Sequence, residues 1–298
     1  MKNTIVMFGA TGHLGTRIVR ELVKRGASVR AVVRTATDPE KLRTLAQLGA
    51  TVEEVDMDNV DALVKASKGA GCVVSALAGL GDVIVDLQKR ILNGALQAGV
   101  PRFIPSDFCT DYMDLMPGEN RNFDLRRAFR DYIDQTSIQA TSVFNGAFAD
   151  ILQYNTPVLN LKEKSIGYWG EKANWPLDFT TMDDTAAFTA EVALDDETPR
   201  NLQIASFQIS PTGLWQDVKQ ATGQTFRLHQ LASLDDFAQH IKRQRADYPA
   251  GEQELYAKWQ QGQYLYSMFT THHTQLANER YRELTWTTSL AFIQSFIQ

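Results

Sequence analysis

Along the first 150 residues the apolar positions switch repeatedly between two spacings. Ile5-Val6-Met7-Phe8 is a continuous apolar run behind polar Asn3 and Thr4, the mark of a strand buried on both faces. From Leu14 the rhythm changes: Leu14, Ile18, Val19, Leu22 and Val23 recur at helical spacing until Gly26 ends the run. The alternation continues, predicting further strands over Ser28–Arg34, 72–77, Thr51–Val55, 102–105 and 140–144. Helices are predicted between them. One opens on Asp38 as N-cap with Pro39 in its first position and stops before Gly49. The others cover 58–68, 83–98 (closed by Gly99) and 122–135. Strand–helix alternation of this kind requires right-handed crossovers, so the expected class is α/β with a doubly wound parallel sheet. Ligands of such sheets bind beyond the carboxyl ends of the strands, which directs attention to the loops that follow them.

Past residue 150 the texture changes. Residues 165–181 read as two extended segments joined by a turn, 183–195 as a helix, and 202–206 as one more strand that joins the first sheet. Helices are predicted over 214–222, 234–245 and 252–263, in a region rich in Gln and aromatic residues. There is no internal repeat and no low-complexity linker. The expectation is a nucleotide-binding domain over 1–150, completed by the strand near 202–206, and a smaller α+β substrate-binding part over 151–298.

Composition narrows the function classes. Of 298 residues, 44% are hydrophobic and 22% charged, an ordinary globular balance, and the net charge of −5 argues against a nucleic-acid surface. Cys72 and Cys109 make no disulfide framework, and the neighbours His272 and His273 do not have metal-ligand spacing, so no metal is expected. The opening strand argues against a signal peptide, and no apolar run reaches the roughly 18 residues of a membrane span. A soluble, cytoplasmic protein is expected.

The candidate chemistry starts in the turn Gly9-Ala10-Thr11-Gly12-His13-Leu14-Gly15, between the first strand and first helix. Glycines there permit a tight turn and let backbone N–H groups approach a pyrophosphate at the positive end of the helix dipole. Gly9, Thr11, Gly12, His13, Leu14 and Gly15 are therefore candidate cofactor-binding residues. Ala76 and Leu77, at the end of the fourth strand, join them. An acid at the end of the second strand would bind both ribose hydroxyls and select NAD. That strand ends Val32-Val33-Arg34-Thr35 instead, and a guanidinium matches a 2′-phosphate bidentately. Arg34, with Lys41 one turn into the next helix, selects NADP(H).

The glycine turn, the Arg34 strand end and Arg102-Phe103-Ile104-Pro105-Ser106-Asp107-Phe108 together resemble the NmrA-like, isoflavone-reductase-like branch of the atypical short-chain dehydrogenases. Residues 141–148, the Arg280-Tyr281 and Thr287-Thr288 pairs, and an amphipathic terminal helix are similar to the same family, so the likeness spans nearly the whole chain. It implies a Rossmann-type NADP domain and a variable substrate domain. Its members are NADPH-dependent reductases of aromatic or quinone-like compounds, or NADP-sensing regulators that act through a protein partner without turnover. By that resemblance Ser106 and Asn145 belong to the cofactor site, and Phe108 and Phe148 to the substrate site. Plant reductases of the family carry a catalytic lysine on the helix before the sixth strand; matching places Arg126 there, and residues 90–161 contain no lysine. Cys109 stands where those reductases usually have glycine.

Arginine stays protonated and is a poor general acid, though it can orient or stabilise a developing oxyanion. Tyr112 is the other catalytic candidate, as a phenolic proton source. The string Tyr168–Lys172 has the Tyr-x-x-x-Lys spacing of standard short-chain dehydrogenases, but its glycine-flanked context reads as a turn rather than a helix, so it is not expected to act as that pair. Tyr168 and Trp169 are nominated for an apolar substrate wall, together with Trp175, Tyr264 and Tyr266. The two functions left open are an NADPH-dependent oxidoreductase, monomeric or homodimeric, and a catalytically silent NADP(H) sensor.

Overall fold

The computed structural model describes residues 4–297; Asn3, at the head of the expected first strand, lies outside them. Two compact units are interleaved along the chain. The first is built from residues up to Phe108, 123–143 and 185–202; the second from 109–122, 144–184 and Gln203 onward. A single boundary near residue 150 does not describe this arrangement, because the chain leaves the first unit after Phe108 and after Val143 and returns each time.

The main sheet of the first unit holds six strands among the described residues: β1 (Thr4–Phe8), β2 (Ser28–Arg34), β3 (Thr51–Val55), β4 (Cys72–Ser75), β5 (Arg102–Ile104) and β6 (Gln139–Ala140). They form one sheet in the order β3-β2-β1-β4-β5-β6, and every neighbouring pair is parallel. The connecting helices are α1 (His13–Lys24), α2 (Pro39–Gln47), α3 (Val60–Ser67), α4 (Gln88–Gln97) and α5 (Arg121–Ile133). The continuous apolar run of β1 has the predicted cause: Ile5, Val6 and Met7 are inaccessible to solvent and Phe8 nearly so. Val6, Phe8, Val32, Val73 and Phe103 share one hydrophobic core with Leu63, Ile91, Leu92, Ala95 and Phe129 from the helices. Ile18, Val19 and Leu22 bury the inner stripe of α1, each such side chain contributing about 1.5–3 kcal/mol. The predicted cap of α2 is present, with the Asp38 carboxylate accepting the Glu40 N–H at 2.8 Å ahead of Pro39.

Three elements of this unit differ from expectation. The strand expected over 140–144 is split. Thr141 N–H still donates to Phe103 on β5, but Ser142 N–H turns to the Arg200 carbonyl at 2.8 Å, and the change of partner ends β6. The strand expected near 202–206 occurs at Asn201–Gln203 and lies outside the six-stranded sheet. The helix expected from residue 83 opens as a π-helical segment, Asp82–Leu87, before becoming α4.

In the second unit Ala147–Phe148, Leu177–Thr180 and Phe207–Ile209 form a three-stranded sheet with Leu177–Thr180 central. Ser165–Trp169 pairs in parallel with Arg227–Ala232, so the two extended segments expected within 165–181 exist but do not pair with each other. The core of this unit is aromatic: Trp169, Phe179, Phe226, Phe237, Phe269 and Phe292 pack in one cluster. Helices of this unit cover Pro211–Thr222, Leu234–Asp247, Lys258–Met268 and Ser289–Phe296, whereas the helix Met182–Leu194 opens here and runs for most of its length in the first unit. The helix expected at 252 begins only at Lys258. Upstream, the Arg121 guanidinium collects the carbonyls of Gly251, Glu252, Glu254 and Leu255 at 2.8–3.3 Å, oxygens that a continuous helix would give to its own N–H groups.

Candidate functional site

The strand order of the first unit reverses between β1 and β4, the crevice where open α/β sheets hold their ligands. Gly9 follows β1 at that point and Ala76 follows β4, joined by the Ala76 N–H bond to the Phe8 carbonyl at 3.0 Å. Gly9 adopts φ +78°, and a Cβ there would stand 2.3 Å from the Ala76 carbonyl oxygen. A Cβ on Gly15 would stand 2.0 Å from the Gly9 carbonyl oxygen. These two glycines close the turn on itself. Gly12 is exposed and N-caps α1 with no side chain capping it, which leaves the first turn at His13, Leu14 and Gly15 presenting N–H groups at the positive end of the helix. The exposed His13 contributes to that turn through its backbone position.

From this turn a cavity of about 530 Å³ runs to the end of β2. Its polar lining includes Thr11, Arg34, Thr35, Thr37, Asp38 and Lys41 beside Gly9, and its apolar wall includes Met57, Leu77, Val83, Leu87 and Ile91. That volume suits part of a nucleotide-sized ligand. Five residues nominated from the sequence, Gly9, Thr11, Arg34, Lys41 and Leu77, are thus brought together, and Gly12 to Gly15 continue from Thr11 into α1. Beyond Arg34 the chain turns sharply: Thr37 donates both its N–H and its Oγ1 hydroxyl to the Arg34 carbonyl, at 3.2 and 2.7 Å, with Ala36 held at φ +68°. Asp38 also lines the cavity, and its carboxylate accepts the Glu40 N–H in capping α2.

Ser106 lies outside the cavity lining but is tied to it, its hydroxyl donating to the Leu77 carbonyl at 2.6 Å. Its own carbonyl accepts Arg126 Nε at 3.1 Å. The next residue, Asp107, is buried and accepts the Ser142 hydroxyl at 2.6 Å; Arg200 Nη1 donates to the same Ser142 oxygen at 2.6 Å. Burial pushes the Asp107 carboxyl above the usual carboxylate range, opposed by the Ser142 hydrogen bond and by the charges of Arg126, Arg200 and Arg130. Phe108 is buried at the end of this segment. Arg126 therefore stands as a fixed positive charge beside a buried carboxyl, an arrangement suited to electrostatic stabilisation and not to proton donation. Cys72 takes no part: burial pushes its thiol up to about 12.

The second unit places the remaining nominated residues. The Asn145 side chain is inaccessible to solvent, and neither its oxygen nor its nitrogen has a hydrogen-bond partner, while its backbone carbonyl accepts Thr180 Oγ1 at 2.6 Å. A buried amide without partners is costly and marks a place where a ligand can supply them. Gly146 at φ +64° carries the chain past Asp178, whose carbonyl oxygen would meet a Cβ at 2.5 Å. Tyr112 is fully buried with its ring edge-on to Phe144, centroids 5.4 Å apart, which makes it a core residue of the loop after Phe108. Phe148 and Tyr168 are half-buried. Trp169, nominated as substrate wall, belongs to the core: it stacks on Phe237 with centroids 4.3 Å apart and planes 12° from parallel. Tyr168 ends in a strand and Lys172 lies over the Trp175 ring at 3.3 Å, so the Tyr-x-x-x-Lys string is not a helical pair.

Sequence reasoning missed Gln88, Ser142 and Arg200 around Ser106 and Asp107, because their partners lie far away along the chain. It also missed the role of His273. That buried ring accepts the Asp111 N–H at Nε2 and faces the Ile204 carbonyl with Nδ1, while its backbone N–H donates to Asp178 at 2.7 Å.

A parallel sheet in this order, a glycine turn at its reversal and a basic cavity at the end of β2 define the Rossmann-type class of nucleotide-binding folds. Within that class the chain belongs to the NmrA-like family, whose model matches residues 1–288. It is similar to Pinoresinol reductase 1 of Arabidopsis thaliana, with 27% identity over 281 residues, 88% of this chain and 87% of the relative. Among solved structures it superposes on an isoflavone reductase with a TM-score of 0.83 at 21% identity, both chains covered completely. A leucoanthocyanidin reductase–NADPH complex from Vitis vinifera matches with a TM-score of 0.80 at 16% identity, 99% of each chain covered. Among the described residues no helix is long and apolar enough to cross a membrane.

Proposed function

We propose that this chain is an NADPH-dependent reductase of a small aromatic or quinone-like compound. The observation that carries the reading is the cavity in which the glycine turn after β1 meets Arg34 and Lys41. The turn from Gly9 to Gly15 suits a pyrophosphate, with Thr11 at its centre and the uncapped start of α1 behind it. Arg34 and Lys41 suit a 2′-phosphate, and β2 ends on Arg34 where an acid would select the ribose hydroxyls. Leu77 lines the cavity, and Ser106, bonded to the Leu77 carbonyl, leads from it to Arg126. The unpartnered Asn145 amide offers a donor and an acceptor matching a carboxamide. The bound dinucleotide would supply a hydride. The glycine turn, Arg34 and Lys41 of the first unit are assigned to the nucleotide, and Phe148 and Tyr168 of the second, both half-buried, to the substrate. Relatives named for pinoresinol and isoflavone reduction support a flat aromatic substrate.

Arg126 holds a positive charge beside Ser106 and Asp107 and does not release a proton, so it serves to orient and stabilise a substrate oxygen. An acceptor that takes its proton from water, as a quinone can, is compatible with that role. The arginine also favours a second reading, an NADP(H) sensor that binds the nucleotide and a protein partner without turnover. The deciding experiment measures NADPH binding and NADPH oxidation across a panel of quinones and phenylpropanoids. Oxidation with any acceptor supports the reductase; tight binding with no oxidation across the panel moves the assignment to the sensor.

A further inference from the structure

The side chain of Gln88, the first residue of α4, is almost inaccessible to solvent, and both ends of its amide are used. Nε2 donates to the Ile84 carbonyl at 2.6 Å, and Oε1 accepts the Ser106 N–H at 3.0 Å. Ile84 lies in the π-helical segment Asp82–Leu87, whose Val83 and Leu87 form the apolar wall of the cavity together with Ile91. A π-helical segment is a strained register that often marks a functional place, and here the Gln88 amide takes up one of its carbonyls. Ser106 is held from the cavity side a second time, through its hydroxyl on the Leu77 carbonyl at 2.6 Å. Its carbonyl holds Arg126 Nε. Three atoms of one residue thus connect the end of β4, the π-helical segment and α5.

From this we infer that Gln88 is a positioning residue, transmitting the placement of the cavity's π-helical wall to Ser106 and, through Ser106, to Arg126. The inference rests on the nucleotide-binding reading above. The chemistry is specific to an amide. Only a side chain with a donor and an acceptor on the same short stem satisfies the Ile84 carbonyl and the Ser106 N–H together, both of them buried backbone groups that water does not reach. An apolar residue of equal length keeps the packing and breaks the connection.

The test compares two probes on wild type, Gln88→Met and Gln88→Glu: adenosine 2′,5′-bisphosphate, which can fill only the part of the site between the glycine turn and Arg34, and NADPH, which carries in addition the fluorescent nicotinamide. Titration calorimetry gives the affinities, and NADPH fluorescence reports the nicotinamide surroundings. The expected result for both variants is bisphosphate affinity within about twofold of wild type, NADPH affinity reduced by about tenfold or more, and loss of the fluorescence change on binding. Gln88→Glu guards against a folding failure of Gln88→Met, since its carboxylate keeps the length and the acceptor but cannot donate to Ile84. Equal losses for both probes, or no loss for either, overturn the inference: the first makes Gln88 merely structural, the second makes it idle. Failure of wild type to bind either probe overturns the nucleotide reading itself, which separates the two failures.

Discussion

The carbonyl oxygen of Ala76 lies 2.3 Å from where a Cβ on Gly9 would stand, so the two strands at the reversal of the sheet approach as closely as they do only because residue 9 has no side chain. The backbone of Gly9 is left-handed as well, at φ +78°. Gly9→Ala therefore meets a backbone clash and a conformational penalty together. The expected cost is more than about 2 kcal/mol of folding stability, with NADPH affinity falling at least about tenfold. Urea unfolding and titration calorimetry measure the two effects; a variant of unchanged stability would show that the strands can part without cost.

In the proposed nucleotide site, Arg34 is the residue assigned the preference for NADPH over NADH. It is exposed at the mouth of the cavity, and the Thr37 turn fixes its backbone. Loss of a charge-assisted contact to phosphate corresponds to about 10- to 100-fold in affinity. Arg34→Ala should lower NADPH affinity by that factor and leave NADH affinity as it was, whereas Lys41→Ala should have a smaller effect of the same kind. An unchanged NADPH/NADH ratio in Arg34→Ala would sink the assignment.

Ser142 joins Asp107 to Arg200, giving its hydroxyl proton to the first and accepting from the second. Ser142→Ala leaves both charged groups short of a buried partner. A hydrogen bond to a charged group is worth about 1.5–3 kcal/mol, and chemical denaturation should show a loss in that range. Because that bond also opposes the upward shift of the Asp107 carboxyl, the same variant should move Asp107 further above the carboxylate range, measurable by NMR titration of the side chain.

His273 gives the protein a pH dependence of defined sign. Burial holds its imidazole below the ordinary value of 6.5, against the opposing pull of Asp178, the Ile204 hydrogen bond and Asp111. On acidification the unfolded chain binds a proton that the folded one resists, so this contribution to stability is present above about pH 6.5 and lost as the pH falls below it. Melting temperatures should fall between about pH 7 and about pH 5, and His273→Gln should flatten that fall. An equally steep decline in the variant would assign the effect to other groups.

Much of the first unit was legible from local pattern. The run Ile5–Phe8, the helical spacing from Leu14 to Val23, the Asp38–Pro39 cap and the glycine turn each act within a few residues, and each appears as expected. So do the ends of β2 and β3. The second unit was legible in its helices but not in its pairings. Trp169 reads equally well as a substrate wall or as core in a linear sequence, and only its stacking on Phe237, 68 positions away, decides the matter. The helix start at Lys258 was unreadable for the same reason, since the Arg121 guanidinium that claims the carbonyls of Gly251, Glu252, Glu254 and Leu255 lies some 130 positions upstream.

By itself, then, the sequence determined the parallel α/β sheet, the glycine turn and the basic end of β2, because backbone conformation, hydrophobic period and capping are local properties. Tertiary structure alone decided that Ala76 closes on Gly9, that Gln88 and Leu77 both hold Ser106, that Ser142 and Arg200 enclose Asp107, and that the two units are interleaved. Those contacts join groups between 18 and 67 positions apart, and no local preference of either partner encodes them. They arise from burial, which strips water from polar groups and leaves each of them to find its partner wherever the fold brings one within reach.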